Sequence, residues 1–357
     1  MPVIDKVHRV LFVSILASSS AVAVEDAGKV IDDPVYTHAQ RLVEVEPGRR
    51  LNLHCLGKGT PTVIFEAGMS TDNSTWARVQ PAIAGHTRAC SYDRAGIGFS
   101  DPARRPSDSA NIVDDLHHVL GAARIGPPYI LVGHSLGGMY VRLYADVHLD
   151  EVAGMVLVDS AEETWRENWW RLDPRQPTHE QAFALDPKEL ERQHACIKAA
   201  EVGFGKGSEI YKTCISPDDP LHGAAINEAS AKNQMSVAYQ QASASEENNY
   251  QHASADEVIA ARRWYGNLPL IVLTSTPGRP SANETPAHRD ALNRVHAAFA
   301  DQLAALSKRG VVRPVPDSTH DIQNTQPQAV IDAILDVLKD VDRKKLAEPD
   351  ATPMKRR

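Results

Sequence analysis

The chain has no block of basic residues before its last few positions, and its formal net charge is −8 over 357 residues. A balance of that sign repels a phosphate backbone, so nucleic-acid binding is excluded as a function class. Aromatic residues are sparse, at 6%, while Gly and Pro are ordinary in number. Neither a fibrous nor a disordered composition is present, which leaves a globular protein long enough for a large core. There is no H-E-x-x-H and no cysteine–histidine cluster, so no metal site is expected. The glycine-rich Gly203-Phe204-Gly205-Lys206-Gly207 lacks the spacing and the Ser/Thr of a phosphate loop. It reads as a turn.

Long apolar runs are missing as well. Lys6 and Arg9 precede the apolar Val10-Leu11-Phe12-Val13-Ser14-Ile15-Leu16-Ala17, which is too short to span a bilayer. Ala21-Val22-Ala23 supplies the small-x-small pattern of a cleavage site. Residues 1–23 therefore read as a cleaved signal peptide, with a periplasmic or secreted product and no stable membrane anchor. Cysteine is scarce too, at four, a number that fits an oxidising compartment. Cys55 and Cys90 lie in or beside β-type runs, and Cys196 and Cys214 lie close together in a polar helical region. The expected pairs are Cys55–Cys90 and Cys196–Cys214, although spacing alone does not determine connectivity.

What is present is a rhythm of short apolar runs with helical segments between them. The runs are Leu51–Cys55, Thr62–Phe65, Thr87–Tyr92, Tyr129–Val132, Met155–Val158, Leu268–Leu273 and Val311-Val312. Residues Asn111–Ala123 and Gln328–Leu338 carry apolar side chains at helical spacing. Alternation of this kind predicts a mainly parallel sheet covered on both faces. From Ala161 to about Gly266 no strand is evident, and a hundred residues are too many for a plain connection. The division expected is a core over 24–160 and 267–344, a helical cap over 161–266, and a loose charged tail over 345–357.

The most informative segment is Tyr129-Ile130-Leu131-Val132 followed by Gly133-His134-Ser135-Leu136-Gly137. A G-x-S-x-G between a strand and a helix puts the serine on a sharp turn at the sheet edge, with its hydroxyl exposed. Ser135 is the candidate nucleophile, and a serine needs a base to take its proton. His320 is selected by position, because Pro316-Asp317-Ser318-Thr319-His320-Asp321 follows the last strand-like run. Asp159 ends the run after the nucleophile and is the candidate acid; Glu284 is the alternative, because Thr274–Arg279 offers no carboxylate. The amides of Leu136 and of Met69, in Glu66-Ala67-Gly68-Met69-Ser70, are candidate oxyanion donors. Trp165, Trp169 and Trp170 open the cap and could line an apolar pocket or pack its helices.

These pieces, with Trp76, Pro81 and Tyr92-Asp93-Arg94-Ala95-Gly96-Ile97-Gly98-Phe99-Ser100-Asp101, resemble the α/β-hydrolase superfamily, and within it the secreted, capped serine hydrolases. The resemblance covers about 41–160 and 267–342. It implies the α/β-hydrolase fold, an eight-stranded mostly parallel sheet with an inserted helical cap, a Ser-acid-His triad and no cofactor. Two departures stand out. Ala67 occupies a position where histidine is frequent, and the acid after the penultimate strand is missing. Related dehalogenases and epoxide hydrolases carry aspartate at the turn, so Ser135 points away from both activities. The expectation is a carboxylesterase-like enzyme acting on a small-molecule ester. An amidase or aminopeptidase, a cofactor-free haloperoxidase-like enzyme, and an inactive binding module on the same fold are the alternatives.

Overall fold

The computed structural model describes residues 29–172, 178, 184–275 and 285–347. The signal peptide expected over 1–23 and Glu284 both lie outside the described residues. Among those residues, eight strands form one sheet in the order β1-β2-β4-β3-β5-β6-β7-β8. The strands are β1 Leu42–Glu46, β2 Arg49–Leu56, β3 Thr62–Glu66, β4 Ala89–Tyr92, β5 Tyr129–His134, β6 Val152–Val158, β7 Leu270–Ser275 and β8 Gly310–Val315. The pair β1–β2 and the junction β2–β4 are antiparallel, and every later pairing is parallel.

Strand chemistry explains this layout. All five residues of β3 and all six of β5 are buried, as continuous apolar strands covered on both faces must be. Successive side chains point to opposite faces. Val63, Phe65, Ile130, Val132, Val156 and Val158 thus enter one core, and Ile64, Leu131, Met155 and Leu157 enter the other. β1 was not legible as a strand. It is a short edge element of sequence Leu-Val-Glu-Val-Glu in which only Val43 is fully buried.

Helices α1 Gln80–Ala84, α2 Ser109–Ala123 and α3 Leu136–Val147 connect the first strands. Asp108 caps α2 by accepting a hydrogen bond from the Asn111 amide, and Ile112, Leu116, Val119 and Leu120 form its buried stripe. α3 is buried along nearly its whole length, from Leu136 to Asp146. Between β6 and β7 the chain leaves the sheet and forms α4 Trp165–Leu172, α5 Pro187–Val202, α6 Glu209–Cys214, α7 Ala224–Gln234, α8 Val237–Tyr250 and α9 Ala253–Ala261. The core closes with α10 Pro286–Ala304, α11 Ile322–Thr325 and α12 Pro327–Ala347. α12 lays Val330, Ala333, Ile334, Val337 and Val341 against one sheet face. It runs to Ala347, three residues beyond the boundary expected at 344, because Ala, Lys and Leu continue a helix well.

Cys55 bonds Cys90 across facing positions of β2 and β4, and Cys196 bonds Cys214 between α5 and α6. No helix among the described residues is long and apolar enough to cross a membrane.

Candidate active site

β5 runs into Ser135, and α3 starts at the next residue. The close packing around the turn depends on positions that lack a side chain. A Cβ on Gly137 would lie 2.4 Å from the Ala67 carbonyl oxygen, and one on Gly68 would lie 2.9 Å from the His134 ring. Ser135 itself sits at φ 51°, ψ −122°, a left-handed conformation that costs a non-glycine residue about 1–3 kcal/mol. Its backbone is tied on three sides: its N–H donates to the Val158 carbonyl, and its carbonyl accepts from the Gly138 and Ala161 amides. Those bonds hold the strained residue against the end of β6.

Asp159 follows β6 directly and also has a positive φ, 43°. Its side chain is almost fully buried and heavily solvated by protein donors. Ser275, the last residue of β7, gives its amide to Oδ1 at 2.8 Å and its hydroxyl to Oδ2 at 2.9 Å. His320 donates from Nδ1 to Oδ2 at 2.7 Å. His296, on α10, places Nε2 3.4 Å from Oδ1, while its Nδ1 is 3.3 Å from Glu162 Oε1. Burial opposes ionisation of Asp159, but the bonds from His296, His320 and Ser275 outweigh it and hold the carboxyl well below the usual range. The same contact raises His320 above the ordinary histidine value. His296 is pushed up to about 10, first by Asp159 and then by Glu162, so it is an imidazolium at neutral pH.

The loop carrying His320 is braced by the elbow. His134, the residue before the serine, contacts the His320 carbonyl oxygen through Nε2 at 3.1 Å, and the two rings lie 4.8 Å apart. Burial, followed by the neighbouring His320, lowers His134 to about 4. It stays neutral and can donate to that carbonyl.

The loop after β3 is held from behind by Arg94, which is buried. Its guanidinium donates to the Ala67 and Gly68 carbonyls at 3.0 and 2.6 Å. The same group pairs with Glu66 at 2.8 Å and with Glu246 of α8 at 2.7 Å. Glu246 also accepts from the Ser70 amide at 2.7 Å. One cation thus fixes the loop that presents Met69 and links it to the helical insertion. Leu136, as the first residue of α3, has an N–H with no carbonyl behind it inside the helix.

Ser135, Asp159, His320, Leu136 and Met69 line a single cavity of about 330 Å³, together with Trp165, Tyr250, Glu162 and His296. The candidate nucleophile, base, acid and oxyanion donors are therefore brought together, whereas Glu284 lies outside the described residues. His296, Glu162, Ser275 and Glu246 were not singled out. Ser275 carried a signal: where a carboxylate was sought after the seventh strand, the chain supplies two donors to Asp159 instead. The cavity lies where the carboxyl ends of the central parallel strands meet the helical insertion, the usual place for a ligand in an open α/β sheet.

The sequence pattern of the Alpha/beta hydrolase family matches residues 63–333, and the chain belongs to that family. It is 24% identical over 285 residues to an AB hydrolase superfamily protein of Gibberella zeae, covering 78% of this chain and 86% of that one. A 37% identical stretch of 108 residues matches YqjL of Bacillus subtilis, covering 30% of this chain and 43% of that protein. A protein of Hormonema carpetanum named "Probable transporter efuK" is 25% identical over 299 residues, with coverages of 80% and 40%. The chain spans less than half the length of these last two relatives. A thermophilic esterase from Thermogutta terrifontis shares the fold at TM-score 0.53 and 18% identity, with 85% of this chain and 99% of that one covered. A bromoperoxidase from Bacillus anthracis does so at TM-score 0.54 and 15% identity, covering 84% and 99%. Family membership supports a hydrolytic enzyme.

Proposed function

We propose that this protein is a serine hydrolase that cleaves a carboxylic ester of modest size through an acyl-enzyme. The observation that carries the proposal is the 2.7 Å bond from His320 Nδ1 to Asp159, with Ser135 on a strained turn in the wall of the same cavity. In this reading Ser135 Oγ attacks the ester carbonyl carbon as its proton passes to His320 Nε2. The oxyanion is held by the amides of Met69 and Leu136. Collapse breaks the bond to the alcohol oxygen, which takes the proton from His320 and leaves. Water, deprotonated by His320, then attacks the acyl-enzyme and releases the acid and Ser135. Asp159 orients the imidazole and stabilises its cation throughout.

The cavity volume lies near the lower end of the range for small-molecule sites, and Trp165 and Tyr250 give it an apolar wall, which favours an apolar acyl or aryl group. The two disulfides support an oxidising compartment, in line with export directed by residues 1–23. The test is a panel of p-nitrophenyl esters of graded chain length run beside aryl esters and anilides. Turnover of esters, lost in Ser135→Ala, is expected. Turnover of anilides alone, or equal ester turnover by Ser135→Ala, contradicts the proposal.

A further inference from the structure

A second group of donor atoms lies at the opposite end of the elbow helix. α3 spans Leu136–Val147, which at 1.5 Å per residue is about 18 Å, so this group is far from Ser135. Beyond the helix the chain makes one tight turn. The His148 amide donates to the Tyr144 carbonyl at 2.8 Å, and the Glu151 amide donates to the His148 carbonyl at 3.0 Å. His148 and Glu151 are thereby fixed three residues apart on one turn. His117, from α2, meets them there. Its ring lies over that of His148 with centroids 4.3 Å apart and planes 4° from parallel. Its Nε2 is 3.4 Å from Glu151 Oε1. One ligand atom from each of the three lies within 4.8 Å of the other two, and all three residues are half-buried.

We propose that His117, His148 and Glu151 form a binding site for a borderline divalent transition-metal ion, zinc foremost, that clamps the end of α3 to α2. Two imidazole nitrogens and one carboxylate oxygen are the donor types that suit such an ion, and three protein ligands leave one position for water. With metal–ligand bonds of about 2.0–2.1 Å, the edge of a tetrahedron is about 3.4 Å. The His117–Glu151 separation already has that length. The stacked rings present their nitrogens side by side, so capture requires one imidazole to turn about its χ2 bond. His117, with 43% of its side chain exposed, has room to do so.

The outer layer is also in place. Tyr144 Oη donates to Glu151 Oε2 at 2.5 Å, which orients the carboxylate and leaves Oε1 for the ion. Tyr144 is itself held rigidly, being fully buried in the core. A plain ion pair between His117 and Glu151 needs neither the second imidazole nor the tyrosine. No sequence motif announced the group, because two ligands come from one turn and the third from a different helix.

The test uses untagged full-length protein, freed of metal with a chelator, titrated with zinc chloride by calorimetry and with Co²⁺ by visible absorption. One equivalent of zinc is expected, with the absorption of a tetrahedral Co²⁺ site and a rise in the thermal midpoint that follows free zinc concentration. His117→Gln and His148→Gln should each weaken binding by at least about 100-fold, and Tyr144→Phe by about 10–100-fold. Ester turnover in these variants should match the parent, because the site is remote from the cavity. Absence of zinc binding by the parent protein overturns the proposal. So does binding of unchanged affinity in the His117→Gln/His148→Gln double variant, which would place the ion among other histidines. Loss of ester turnover in Ser135→Ala bears on the hydrolase reading and leaves the zinc titration untouched.

Discussion

Asp159 is contacted on both carboxylate oxygens, and most of the chemistry proposed here depends on it. Four donor atoms from Ser275, His320 and His296 surround its two oxygens. An amide in its place would accept on one side only and would support the wrong tautomer of His320. Asp159→Asn is therefore expected to lower kcat by about 10⁴ while the protein still folds. The pH profile follows from the same contact. His320 acts as base only when neutral, and its proton affinity is raised above the ordinary value of 6.5 by Asp159. The acid limb of kcat/KM should therefore fall above pH 6.5, with activity rising as pH increases through it. In Asp159→Asn that limb should move to lower pH. An unshifted limb with near-normal turnover would remove Asp159 from the role.

At the scale of elements, the elbow, the loop after β3 and the helical insertion are one mechanical unit. Arg94 joins them, with Glu66 on the sheet side and Glu246 on α8. All three side chains are at most 2% exposed, so removing the single cation leaves two carboxylates uncompensated in a low-dielectric interior. Arg94→Gln is expected to cost about 3–5 kcal/mol in denaturant unfolding. Because Arg94 also holds the Ala67 and Gly68 carbonyls, kcat should fall with it, by more than KM changes. Stability and kcat both close to the parent values would show that the insertion and the loop are independent.

The elements were legible where one rule dominated. β3, β5 and β6 are continuous apolar runs, and Ser135 and Asp159 were found because each ends such a run. His320 was found because it follows the last strand and precedes the amphipathic α12. The rest depends on convergence that no local pattern encodes. His296 and Glu246 sit on helices whose sequence reads as polar surface; packing of α10 on β7 and β8 turns the first inward, and the contacts with Arg94 and the Ser70 amide hold the second. Glu44 and Glu46 disguised β1, since an edge strand with one wet face does not need a continuous apolar run. The zinc ligands proposed on α2 and after α3 were invisible for the same reason as His296.

At the scale of the whole molecule, a doubly covered sheet supplies rigidity and the helical insertion supplies the chamber. The Cys196–Cys214 bond closes a loop of sequence separation 18 inside the insertion. A cross-link of that span restricts the unfolded chain by about 3 kcal/mol. The Cys196→Ala/Cys214→Ala pair is expected to lose stability of that order by denaturant titration, with the sheet and its residues unchanged. No loss would mean that the insertion is held by its contacts with the core alone. Whatever holds the insertion, the claim that organises the molecule is that Ser135 is a nucleophile activated within it. The most direct measurement is labelling of the full-length protein with a fluorophosphonate, followed by peptide mapping. The account predicts one modified residue, Ser135, with labelling abolished in Ser135→Ala and strongly slowed in His320→Ala. A parent protein that does not label, or a Ser135→Ala variant that labels as fast as the parent, would contradict it.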